Sequence, residues 1–156
     1  LLVGVLYERR HTKLMSAFGG IWRAMPLYSG IALVIVLSSM GLPGLNGFVG
    51  EFTILLGSAG SSVLSWWFTF FAAIGIILAA VYMLYMFNTV FMGALDKEEN
   101  KRLPDLNWQE LWSLVPILVM VFVIGLQAGY FFEFMDGSVK ELVDYVNGYA
   151  LSAAGH

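Results

Sequence analysis

In the stretch GLPGLNGFVGEF, residues 41–52, glycines recur at 41, 44, 47 and 50 around Pro43, and a single carboxylate, Glu51, follows them. Glu51 is the only charged residue between Arg23 and Asp96. A carboxyl in apolar surroundings suits proton uptake and release, and an ionisable residue inside a membrane span is by default a functional candidate. Two plainer readings stand beside this one. Any single glycine serves equally well as a small packing point between helices, and Glu51 would be an ordinary surface residue if its helix began at the membrane interface.

The elements that must position Glu51 follow from the residues before it. Pro43 removes a helix hydrogen bond, and the glycines let the chain turn or a neighbour approach closely. A helix break is therefore expected at Pro43, Gly44 and Gly47, with Asn46 available to bond freed backbone groups and a second half-helix starting near Gly47. Glu51 then falls in its first or second turn, where the helix dipole favours a carboxylate. Irregular backbone at membrane depth survives only when buried in protein or lining a wet cavity. Discontinuous helices of this sort are where transporters build ion sites.

The composition requires a membrane. Of 156 residues, 59% are hydrophobic and 12% charged, with a mean hydropathy of +0.78; a soluble domain carries about a quarter charged residues. Spans are predicted near 27–58, 63–93 and 111–132. As one helix the first would be about 48 Å long, well beyond a bilayer core of about 30 Å, and the Pro/Gly cluster lies in its middle. LLVGVLY at the start is too short to span and reads as the last two turns of a helix. The expected fold is an all-α polytopic membrane bundle: the end of one span plus three full spans, one of them discontinuous, as the C-terminal part of a longer protein.

With no cysteine, thiolate metal sites and cysteine-ligated iron–sulfur clusters are excluded. A net charge of −3, small and dispersed, points to no nucleic-acid partner; the lipid bilayer is the first partner.

Seven of the eight Lys and Arg residues lie in two connectors, 8–26 and 94–110, which two spans place on one side of the membrane. The positive-inside rule makes that side the cytoplasm. Trp66 and Trp67 open the second span as interfacial aromatics. Asn107 with Glu110 reads as a variant capping box opening the third, and Pro116 is expected to kink that span near Trp112. Ser138 with Glu141 reads as another capping box, starting an amphipathic tail helix with Val139, Leu142, Val143 and Val146 on one face.

PLYSGIALVIVLSSMGLPGLNGFVGEFTILLG closely resembles the twelfth helix of the subunit M family, antiporter-like membrane subunits of NADH–quinone oxidoreductase (respiratory complex I). YERRHTK and the following FGG resemble that family's preceding connector. The resemblance is strong over residues 1–93 and weaker beyond. It implies that residues 1–132 are the C-terminal part of an antiporter-like proton-translocation domain and 133–156 an amphipathic tail. It further implies that Glu51 is the terminal proton-carrying residue and that Pro43 marks the break. Related subunits and multisubunit sodium/proton antiporters typically carry Lys where this chain has Glu51. Implied partners are other membrane subunits, especially neighbouring antiporter-like ones, in a bacterial inner membrane. NADH, FMN, iron–sulfur clusters and quinone are implied elsewhere in the complex, with no cofactor in this chain. The rival readings are a subunit of a cation/proton antiporter or membrane-bound hydrogenase, and a non-conducting structural fragment.

Other polar residues carry less. Tyr82, Tyr85 and Asn88 lie at helical spacing on the second span and read mainly as interface or packing groups. Ser38, Ser39 and Thr53 lie near the break, where satisfying backbone is the better reading. Met83, Met86 and Met92 read as gap-fillers. His11 reads as a surface residue, and with His156 it makes no metal site.

Overall fold

A computed structural model describes the backbone of residues 1–154 and the side chains of residues 1–148; His156 lies outside the described residues. Among these residues every regular element is helical. Helix α1 spans Leu2–Arg10 and ends on His11, which is exposed and adopts left-handed backbone. A short 3₁₀ turn at Met15–Ala17 and one helical turn, α2 (Ile21–Ala24), lead into α3, Pro26–Ser39. Pro26 occupies the first turn of α3, where its missing N–H removes no intrahelical bond.

Helix α4 covers Asn46–Ala59, so residues 40–45 separate two 14-residue helices. Each is about 21 Å long, too short alone for a bilayer core of about 30 Å, and together they make the discontinuous span. Helix α5, Trp66–Phe87, runs on through a π-helical turn at Asn88–Met92. After a one-turn helix α6 (Glu98–Lys101), α7 spans Trp108–Leu126. Both α5 with its π turn and α7 are long and apolar enough to cross a membrane.

Two local expectations are corrected. The third span does not continue to 132: α7 stops at Gln127, and a new helix, α8, runs from Ala128 to Ala154. Gly125, the penultimate residue of α7, lies against the backbone of Gly44 and Leu45, so the helix is pinned to the break loop where it ends. No helix starts at Ser138 either. Residues 128–154 form one continuous helix, because once the chain is helical at 134–137 the N–H groups a Ser138 cap would satisfy already have partners four residues back. Pro116 sits inside α7 and the helix persists through it.

The buried core lies at the connector end. Ile21 and Met25 are fully buried there among Leu6, Phe18, Tyr28, Phe87, Phe91 and Leu103. Met83 and Met86 pack against this cluster, whereas Met92 is exposed. Most of α5 beyond it faces outward.

The two connectors interlock, which places them at one end of the bundle. The Arg9 guanidinium forks onto both carboxylate oxygens of Glu110 (2.9 and 2.8 Å) and also donates to the carbonyls of Val5, Pro104 and Asp105. Arg10 pairs with Glu99, and Lys97 donates to the Ser16 carbonyl. Glu110 in turn accepts from the Asn107 N–H at 2.7 Å, so one carboxylate both closes the ion pair and caps α7. The Asp105 carboxylate accepts from the N–H groups of Leu27 and Tyr28 (2.9 and 3.1 Å). It thereby caps α3 from outside, because Met25, at the capping position, has no side-chain oxygen acceptor.

Candidate functional site: a carboxyl at a helix break

Helix α3 ends in a Schellman arrangement. Leu42 N–H donates to the Leu37 carbonyl and Gly41 N–H to the Ser38 carbonyl, both at 3.1 Å, with Gly41 at φ +70°. This closure satisfies carbonyls that the helix end would orphan and needs a left-handed residue, hence glycine. A second turn follows at once. Leu45 N–H donates to the Leu42 carbonyl at 3.1 Å, with Pro43 second in the turn and Gly44, at φ +94°, third. That is the type II pattern, which favours proline and then glycine in this order. The break is therefore two hydrogen-bonded turns in series, with most of its polar backbone satisfied internally.

Asn46 does not bond freed backbone groups. It is the first residue of α4, and its Oδ1 accepts from the Ser38 hydroxyl. Gly47, the next residue, packs so tightly on the Ser38 carbonyl that a Cβ there would collide with it. Gly125 of α7 closes on the loop from another direction, against Gly44 and Leu45. Sequence reasoning missed this α7 contact; its only signal was a single glycine in an otherwise bulky apolar helix.

Glu51 is the sixth residue of α4, half-buried. It lies past the first turn, where the favourable dipole effect fades, so α4's own N-terminus is not what holds it. Its carboxylate instead lies back against Gly41, at the end of α3; a Cβ on Gly41 would collide with Glu51 Oε2. Among the described residues the Glu51 carboxylate has no hydrogen-bond or ion-pair partner. It is held by packing against a backbone turn.

The neighbouring polar residues divide. Ser38 is buried and joins the two half-helices. Ser39 and Thr53 are exposed, and the Thr53 hydroxyl bonds its own helix at the Val49 carbonyl. Tyr82 and Tyr85, 61% and 68% exposed, face outward with Asn88. Among the described residues no group of three His, Asp or Glu could hold a metal ion. An open apolar groove of about 540 Å³ lies elsewhere, at the connector end beside Leu6, Phe18, Tyr28 and Met83, and Glu51 does not line it.

Residues 1–79 match the family described as NADH:quinone oxidoreductase/Mrp antiporter, TM. Over 143 residues the chain is 38% identical to NADH-quinone oxidoreductase subunit M of Rickettsia felis, covering 92% of this chain and 28% of that protein. It is 36% identical to subunit M of Rhodobacter capsulatus over 92% of this chain and 27% of that one. NADH-ubiquinone oxidoreductase chain 4 of Arabidopsis thaliana is 38% identical over 93% and 29%. A chain of the respiratory complex I structure from Thermus thermophilus with bound NADH superposes with a TM-score of 0.73 and 32% identity, over 85% of this chain and 27% of that one. The chain thus spans little more than a quarter of the length of the curated relatives it matches. It belongs to the NADH:quinone oxidoreductase/Mrp antiporter transmembrane family, as an integral membrane protein.

Proposed function

We propose that the chain serves in a proton-translocating membrane subunit of an NADH–quinone oxidoreductase, with Glu51 as a proton-carrying group. The observation that carries this is an unpaired carboxyl seated on a helix break, within a chain similar along most of its length to subunits M. Electron transfer and its cofactors would belong to other subunits. Its partners would be the other membrane subunits, neighbouring antiporter-like ones above all, in a bacterial cell membrane. The connector side, rich in Lys and Arg, would face the cytoplasm. Residues 1–132 would form part of the translocation domain and 133–156 an amphipathic tail that continues the helix begun at Ala128.

The energetics are commensurate. Moving one charge across 100 mV takes about 2.3 kcal/mol. A second charge about 7 Å from a carboxyl, at an effective dielectric near 20, shifts its ionisation energy by about 2.4 kcal/mol. One neighbouring charge, arriving or leaving, thus changes the ionisation energy of a carboxyl by about as much as that work.

The test is a substitution series in the assembled enzyme. Glu51→Gln keeps assembly but lowers NADH–quinone turnover by about a hundredfold, the lower end of the scale of losing a positioned proton-transfer group. Glu51→Asp retains part of the turnover, and Glu51→Lys some of it, since lysine occupies this place in the sister subunits. Unchanged turnover in Glu51→Gln would remove Glu51 from the proton path. The family description also names antiporters, and that alternative predicts sodium-dependent proton release without NADH; the glutamate in place of lysine weighs against it.

A further inference from the structure

Helix α4 begins without a cap of its own. Its capping residue, Leu45, has no side-chain oxygen to accept from the N–H groups one turn in, as Ser, Thr, Asn or Asp would. The Ser38 hydroxyl occupies that role from the preceding half-helix. It accepts from the N–H of Gly47, the second residue of α4, at 3.4 Å, and donates to Asn46 Oδ1. Ser38 is 5% exposed, so its hydroxyl has little water to turn to. The approach that brings it within reach requires glycine at 47, where a Cβ would strike the Ser38 carbonyl.

Glu51 is four residues beyond Gly47 and shares its face of α4, since residues four apart stack on a helix surface. Gly47 meets Ser38 while Glu51 meets Gly41; both contacts join that face of α4 to the end of α3. A tilt of α4's first turn away from Ser38 therefore lifts the carboxyl off Gly41.

We propose that Ser38 is a positioning residue for Glu51: by capping α4 across the break, it sets how the carboxyl seats on the Gly41 turn. The proposal rests on the reading of Glu51 as a proton carrier and adds the group that holds it in register. Ser38 itself carries no proton; loss of its hydroxyl loosens α4 and lets water reach a carboxyl that was packed against backbone.

The test compares Ser38→Thr with Ser38→Val in the assembled complex. The two replacements have nearly the same shape and differ by one hydroxyl, so any cost of the added methyl cancels between them. The readouts are the infrared C=O stretching band of the protonated Glu51 carboxyl, identified as the band lost in Glu51→Gln, and proton-coupled turnover. Relative to Ser38→Thr, Ser38→Val moves the band to lower frequency as the carboxyl gains water contacts. It also lowers turnover about fivefold, the scale of one lost cap. The same band and turnover in both variants, with turnover in Glu51→Gln still strongly lowered, would overturn the role of Ser38 and leave the role of Glu51 standing. Full activity in Glu51→Gln would overturn the proton-carrier reading on which it rests.

Discussion

The two half-helices begin in the same way and are held very differently. Each has an apolar residue at the capping position, Met25 for α3 and Leu45 for α4, and each takes an oxygen from another part of the chain. For α3 that oxygen comes from the Asp105 carboxylate, which makes two short bonds to successive N–H groups. For α4 it comes from the neutral Ser38 hydroxyl, which makes one long bond. Charge-assisted bonds are roughly twice as strong as neutral ones. The start of α3 is thus held by two charge-assisted bonds, and the start of α4 by one neutral bond together with the close packing of Gly47 and Gly125.

The comparison is open to attack from the connector side first. Arg9 makes five hydrogen bonds, and its side chain is 9% exposed. Arg9→Ala leaves the Glu110 carboxylate without its cation and removes the guanidinium from the carbonyls of Val5, Pro104 and Asp105. The expected loss is about 3 kcal/mol, seen as a clear drop in the Tm of the purified protein in detergent. A loss near zero would mean that the connector junction is no more rigid than the break.

Asp105→Ala comes next. It removes both caps from α3 and is expected to cost about 1–2 kcal/mol, with faster amide hydrogen exchange in residues 27–29 and little change in 46–49. Exchange rising equally at both sites would mean that the two half-helices move as one unit.

The smallest effect belongs to Lys140 and Asp136, an exposed pair one turn apart on α8. Lys140→Ala should change stability by no more than about 0.5 kcal/mol. A larger loss would show that α8, exposed from Gly129 to Gly148, is held by contacts that this pair organises.

What was legible in the sequence was mostly what covalent geometry dictates. Pro43 followed by Gly44 can hardly continue a helix, and the long apolar runs on either side have few alternatives to helix in a membrane. Pro26, Asn107 and Glu110 mark helix starts through local, short-range bonds, which a linear reading captures. What escaped the reading depends on residues far apart in the chain. Nothing near Met25 announces that Asp105, some eighty positions later, supplies its missing oxygen. Nothing near Glu51 announces that its carboxyl rests on Gly41 rather than on its own helix's N-terminus. The backbone bonds expected of Asn46 are made instead by the two consecutive turns themselves. The Ser138 cap failed for the opposite reason, because a correct local motif is idle inside a helix that has already begun.

The most direct test of the account is the number of protons moved per electron by the assembled enzyme in sealed vesicles, measured with and without Glu51→Gln. The account predicts a complex that assembles, that still oxidises NADH at a residual rate, and that moves fewer protons for each electron than the wild type. An assembled Glu51→Gln enzyme with the wild-type ratio would contradict it.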